Sequence, residues 1–158
     1  MKREDIEHAI PHRSPFLFLD EVVHIDERSI TCRYRIREED ELFSRVFTGH
    51  YPGFPLVPGV LLCEMMFQAA GVLLSRRAGE NFVKGGGTPL LTRIKGAQFR
   101  RVVRPGEEVE IHASIDEQAA QAYYLKGRVS VNGELAVRAE FACILTTSFT
   151  DASDDTEI

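Results

Sequence analysis

The stretch Phe47–Ala70, FTGHYPGFPLVPGVLLCEMMFQAA, changes character halfway along. Its first half sets His50 among Pro52, Gly53, Pro55, Pro58 and Gly59, residue types that predict a stiff, tightly turned loop. Its second half predicts a helix that runs on to Arg77. Proline suits the first helical position, where its missing N–H would have no partner, so Pro58 marks the start. Val60–Leu62, Met65–Phe67, Ala69, Ala70 and Val72–Leu74 place apolar side chains almost all the way round. A helix that is apolar on every face is normally buried in a fold or a bilayer. Glu64 and Gln68 interrupt it one turn apart, on one face. Taking an unpaired carboxylate out of water is costly, so a buried Glu64 requires a partner. His50 is the expected one, delivered by the loop or by a second copy of the chain.

The composition frames that helix. A chain of 158 residues with 44% hydrophobic and 27% charged residues suits one globular domain with a core of its own. Of the net charge of −5, four negatives come from Asp151, Asp154, Asp155 and Glu157 in the tail, which leaves the remainder near neutral. That excludes the global basic field of a nucleic-acid binder. Cys32, Cys63 and Cys143 are few, odd in number and far apart, with no metal-ligand spacing; they read as reduced thiols of a cytosolic protein. Residues 1–10 lack the apolar run of a secretory leader. Residues 56–74 are long enough to attract a membrane-span reading, but Glu64 and Gln68 near the middle favour a core helix.

Along the chain, Arg3–Ile10 predicts a short helix that stops before Pro11. Phe16–Ile25 and Ile30–Ile36 read as strands, and Glu38–Glu41 as an acidic loop. Gly79 and Gly85–Gly87 mark a flexible surface segment after the central helix. Strands are then expected over Pro89–Val103, Val109–Ile115, Tyr123–Val131 and Leu135–Leu145, with turns at Pro105-Gly106 and Asn132-Gly133. One long helix followed by a run of antiparallel strands argues an α+β fold. Residues 1–146 form a single domain on this reading, and 147–158 an acidic, disordered tail.

Ile10-Pro11-His12-Arg13-Ser14-Pro15-Phe16, Gly49-His50-Tyr51-Pro52-Gly53, the run from Pro58-Gly59-Val60 through Glu64 to Gln68, and Phe99–Gly106 together resemble the β-hydroxyacyl-acyl carrier protein dehydratases of the FabZ type. The resemblance covers roughly residues 5–146. It implies a hotdog fold, an antiparallel sheet wrapped around one long central helix, with two chains sharing a continuous sheet as a dimer and dimers assembling further into hexamers. It also implies an acidic acyl carrier protein as partner, and no cofactor beyond the phosphopantetheine that arrives with the substrate. Three departures stand out. Phe54 replaces a second loop histidine common in relatives, Phe67 and Ala70 are atypical helix choices, and Arg104 takes a commonly apolar position.

The reaction so implied needs a base for the C2 proton, an acid for the departing C3 hydroxyl, and donors for charge on the thioester oxygen. His50 suits the base, with an ordinary pKa near 6.5. Glu64 suits the acid, raised by burial in direction, and in relatives it comes from the partner subunit. Gln68 would orient Glu64. The free N–H groups of Gly59 and Val60 lie at the positive end of the helix, and by resemblance Gly59 donates to the thioester oxygen. Arg100, Arg101 and Arg104 are carrier-docking candidates, with Arg76 or Arg77 as possible additions. Strand alternation would put Arg100 and Arg104 on one face and Arg101 on the other. His8, His24 and His112 lack ligand spacing, so no metal is expected. A hotdog thioesterase, or a non-catalytic acyl-binding or scaffold subunit, remains an alternative. The related dehydratase/isomerase branch carries Asp at the position of Glu64.

Overall fold

The computed structural model describes residues 1–147, so the predicted acidic tail lies almost entirely outside the described residues. Helix α1 (Arg3–Ala9) leads through the Pro11–Pro15 connector to strands β1 (Glu21–Ile25) and β2 (Ser29–Arg35). Helices α2 (Glu41–Gly49), α3 (Gly59–Ala78) and α4 (Glu80–Lys84) follow, and then four long strands. These are β3 (Thr88–Phe99), β4 (Glu108–Ala119), β5 (Ala122–Val131) and β6 (Glu134–Thr146). All pairings are antiparallel, in the order β1-β2-β4-β5-β6-β3. The sheet curls over α3, whose Leu62, Met65, Met66, Ala69, Leu73 and Leu74 are buried against Ile30, Ile111, Leu125, Val129 and Phe141. This is the expected α+β, hotdog arrangement. Although α3 is long and apolar enough to cross a membrane, those contacts make it the core of the domain.

Alternation explains the sheet. In β4 the burial alternates from Val109 through Ile111 and Ala113 to Ile115, and in β5 Tyr123, Leu125 and Val129 face inward, the period-two pattern of a half-buried sheet. The Asn132-Gly133 turn joins β5 to β6 with φ of 50° and 80°, the left-handed pair that a two-residue hairpin favours.

Several boundaries differ from expectation. The strand predicted over Phe16–Ile25 begins only at Glu21, because Gln68 occupies backbone groups that a ladder would have used. The Phe18 N–H donates to Gln68 Oε1 at 2.8 Å, and Gln68 Nε2 donates to the Phe16 carbonyl at 3.1 Å. Glu41–Gly49 is helical, although Glu41 is expected at the end of an acidic loop and Phe47–Gly49 at the start of a turned one, with Phe43 and Phe47 stacked on its buried face at 5.3 Å. Those residues are one turn apart, a helical signal overshadowed by the acidic run before it. The glycine-rich segment contains the single turn α4. Finally, β3 stops at Phe99 instead of Val103. The Arg100 and Arg101 N–H groups both turn to the Ala136 carbonyl, at 2.8 and 3.3 Å, and the ladder cannot continue from one shared acceptor. At the other end of the core, α3 starts at Gly59 with Pro58 as its cap, one residue later than predicted.

Candidate active site

His50 is fixed from both sides by its own backbone neighbourhood. Its N–H caps α2 on the Val46 carbonyl at 2.7 Å, and a Pro52-Gly53 turn follows, closed by the Phe54 N–H on the Tyr51 carbonyl at 2.9 Å. Gly53 has φ 83°, the value demanded after proline in such a turn. The loop is therefore as tightly turned as its prolines and glycines predict. The imidazole Nδ1 lies 3.2 Å from the Leu56 carbonyl. A carbonyl only accepts, so Nδ1 carries the proton and Nε2 keeps its lone pair. That leaves Nε2 as a base.

Facing it is the start of α3. Pro58 offers only its carbonyl, which accepts from Leu61 at 2.9 Å and Leu62 at 3.4 Å. The N–H groups of Gly59 and Val60 precede the first helical hydrogen bonds and have no acceptor among the described residues, as the geometry of a helix start requires. Both residues line a cleft of about 360 Å3 together with His50, Phe99 and Arg101. A Cβ added at Gly59 would fall 2.5 Å from the Phe99 ring, so a larger residue would displace either the ring or the donor. The cleft thus brings the His50 imidazole and the two helix-start residues together, with no carboxylate among its lining residues.

Glu64 lies elsewhere. It lines a second cleft, of about 610 Å3, that shares no residue with the first and is walled by Phe67, Leu90, Leu91 and Cys143. The predicted pairing of His50 with Glu64 does not occur within one chain. The Glu64 partners are instead Gln68, whose Nε2 donates to Oε1 at 3.0 Å, and His12, whose Nε2 is 3.4 Å from the same oxygen. The Glu64 side chain is 23% exposed, so it is half-buried where full burial was expected. The helix is covered by the sheet on its other faces but not along this one. Gln68 is buried and held by Phe16 and Phe18, so it orients Glu64 from a rigid base. His12 was visible in the sequence only as one member of a motif. Nothing in its spacing to Glu64, 52 positions on, could have announced the contact.

The arginines divide differently from expectation. Arg101 pairs with Glu107 at 2.7 Å and Glu134 at 3.0 Å. The hydrogen bond to Arg101 is the main reason the Glu107 carboxyl is held below its usual range. Arg101 is thus a structural cross-link beside the His50 cleft. Arg104 lies over the Phe54 ring at 4.8 Å, a cation–π contact, and Arg100 donates to Gln98 at 3.0 Å. With β3 ended at Phe99, strand alternation no longer assigns their faces. Arg77 donates to the Glu27 carbonyl at the far end of α3, roughly 27 Å from Gly59 at 1.5 Å per residue. Arg76 and Arg77 therefore do not join that cluster. Cys63 is buried, which raises its thiol, and burial pushes Cys143 up to about 12. Neither is a nucleophile near neutral pH. Among the described residues, no three His, Cys, Asp or Glu side chains gather as a metal site.

Residues 10–140 match the family model described as a FabA-like domain. The chain belongs to the FabA-like family. It is 38% identical over 142 residues to a 3-hydroxyacyl-[acyl-carrier-protein] dehydratase FabZ of Rickettsia bellii, covering 89% of this chain and 93% of that one. The FabZ of Rickettsia rickettsii is 39% identical over 137 residues, 86% and 90% of the two chains. Among solved structures it resembles the dehydratase heterocomplex ApeI:P of Xenorhabdus doucetiae, with a TM-score of 0.73 at 18% identity over 89% of this chain and 90% of that one. A hypothetical thioesterase of Streptococcus pneumoniae, solved with coenzyme A, shares the fold at a TM-score of 0.62 and 10% identity, over 90% and 95% of the two chains. In this FabA-like chain His50, Gly59, Val60 and Arg101 line one cleft and Glu64 lines another.

Proposed function

We propose that the protein is a hydro-lyase of fatty-acid biosynthesis that converts (3R)-hydroxyacyl-[acyl carrier protein] to the trans-2-enoyl thioester and water. Its FabZ relatives at 38–39% identity support the reaction class. The observation that carries the chemistry is the His50 cleft, whose lining joins His50 to Gly59 and Val60 at the start of α3, residues whose N–H groups have no partner among the described residues. The thioester oxygen accepts from Gly59, with Val60 beside it, which acidifies the C2 proton by stabilising the enolate-like charge. His50 Nε2 takes that proton. The C2–H electron pair becomes the C2=C3 double bond as the C3–O bond breaks, and Glu64 protonates the departing oxygen to give water. Returning the His50 proton to the Glu64 carboxylate closes the cycle. No cofactor takes part; phosphopantetheine enters as part of the substrate.

Because His50 and Glu64 line separate clefts, we assign the working site to a pair of chains, His50 from one and Glu64 from the other. The β3 edge supports this. Among the described residues it pairs only with β6, and along it Val60 is 72%, Phe99 54% and Ile94 49% exposed, an apolar seam of the kind that a second copy covers. Joining two such edges would continue the sheet, and three dimers would make the hexamer. The carrier docks beside the His50 cleft on Arg100 and Arg104, and the enzyme works in the cytoplasm with it.

The test is incubation with a 3-hydroxyacyl carrier protein and with its coenzyme A analogue, following enoyl absorbance and free thiol separately. Enoyl formation without thiol release is expected. Thiol release without enoyl would make the protein a thioesterase, and neither signal would leave an acyl-binding subunit.

A further inference from the structure

The connector Pro11–Pro15 brings His12 to the wall of the Glu64 cleft. There Gln68 Nε2 and His12 Nε2 converge on one oxygen of the carboxyl group, Oε1, at 3.0 and 3.4 Å, while Oε2 has no protein partner among the described residues. The hydroxyl oxygen of a protonated carboxyl is a poor acceptor, so the oxygen that accepts from Gln68, and that His12 Nε2 approaches, is the carbonyl one. The proton of the neutral acid then belongs on Oε2.

His12 Nδ1 is itself buried without a partner. A protonated Nδ1 would be a buried, unsatisfied donor and would leave Glu64 facing a lone pair. The hydrogen-bond pattern therefore assigns the tautomer with hydrogen on Nε2, the nitrogen that faces Glu64. The other charged and imidazole side chains around this cleft are engaged elsewhere. His8 Nδ1 lies on the Glu4 carbonyl at 2.6 Å, Arg13 donates to the Ile10 and His12 carbonyls, and Glu7 pairs with Arg3 at 3.4 Å. At 3.4 Å the His12 contact is longer than a formed hydrogen bond, and contacts of this kind tighten when substrate binds.

We propose that His12 is a positioning residue for the dehydration, which with Gln68 fixes Glu64 Oε1 as an acceptor and so keeps the transferable proton on Oε2. This rests on the assignment of Glu64 as the acid. It predicts a role exerted wholly through Glu64, in the chemical step and not in substrate binding.

The experiment compares His12→Leu, His12→Gln and His12→Asn in the full-length, native oligomer. Each is measured in the wild-type and in the Glu64→Gln background for kcat and KM on the same 3-hydroxyacyl thioester. Losing one hydrogen bond to an ionisable group should lower kcat about tenfold in His12→Leu, with KM little changed. His12→Gln, whose amide reaches about as far as Nε2, should recover most of it, and His12→Asn, too short, should not. In the Glu64→Gln background, His12→Leu should add no further loss. Wild-type kcat in folded His12→Leu would overturn the proposal. So would equal activity of the Gln and Asn variants, or an undiminished His12→Leu effect without Glu64. If His12→Leu fails to fold, the Gln–Asn contrast decides alone. Wild-type turnover in Glu64→Gln itself would instead reject the acid assignment, a separate failure read from a separate variant.

Discussion

The two clefts at the start of α3 differ in what they lack. The one around His50 has a lone-pair nitrogen and two backbone donors, but no carboxylate among its lining residues. The one around Glu64 has a carboxyl group gripped on one oxygen and an apolar wall, but no free helix-end donor. In the proposed reaction each supplies half of an acid–base pair. His50 is held by loop geometry and Glu64 by Gln68, with His12 beside it. On that proposal a chain can fold completely and still be chemically incomplete, because neither cleft contains the other's group. The exposed apolar edge beside both halves offers a way to complete the site.

The largest effects should come from removing either half. His50→Ala and Glu64→Gln should each keep the fold and lower enoyl formation by about a hundred- to ten-thousand-fold, the usual contribution of a general acid or base. Turnover close to wild type in either purified variant would dissolve the comparison. Gly59→Ala tests the donor side of the first cleft alone. The added methyl meets Phe99, and shifting the thioester donor should lower kcat by about tenfold or more, below the full loss of an oxyanion donor. An unchanged kcat would remove Gly59 from the chemistry and leave it a packing residue.

A smaller effect isolates the Arg101–Glu107 cross-link beside the His50 cleft. The folded-state pKa of Glu107 is depressed, mainly by the Arg101 hydrogen bond. Its stabilisation is therefore present above the ordinary carboxylate pKa and lost as pH falls through the depressed one. Glu107→Gln should lower thermal stability at pH 7 and flatten the acid limb of a Tm-versus-pH curve; parallel curves would show the pair to be energetically silent. Smallest of all is docking. Reversing Arg100 and Arg104 to Glu should raise KM for carrier-bound substrate, mostly at low salt, since exposed charges are screened within about 8–10 Å at ordinary ionic strength. A short pantetheine thioester should be nearly unaffected. Equal damage to both substrates would tie the arginines to the fold, for instance through the Arg104–Phe54 contact.

Patterns carried by neighbours in the chain were legible in the sequence. The apolar run of α3, the alternation of β4–β6, the Asn132-Gly133 hairpin and the tightly turned His50 loop all follow from local rules, and so does the Glu64–Gln68 pair one turn apart. What escaped depended on partners distant in sequence. The segment Phe16–Asp20 has strand-like residues, yet Gln68 takes its backbone groups. Strand β3 looks able to continue to Val103, but Ala136 ends it. Arg101 reads as a free cation until Glu107 and Glu134 arrive beside it. His12 reaches Glu64 only because α1 and its connector lie along α3, a packing decision no spacing rule encodes.

The division of the site between two clefts is tested most directly by mixing its two broken halves. His50→Ala and Glu64→Gln chains, each inactive alone, are exchanged into hybrid oligomers and assayed for enoyl formation. If the pair is shared across chains, a hybrid dimer regains one intact site of two and activity returns. If subunit exchange is demonstrated and activity stays at the level of the separate variants, His50 and Glu64 act within one chain and the two-cleft account is wrong.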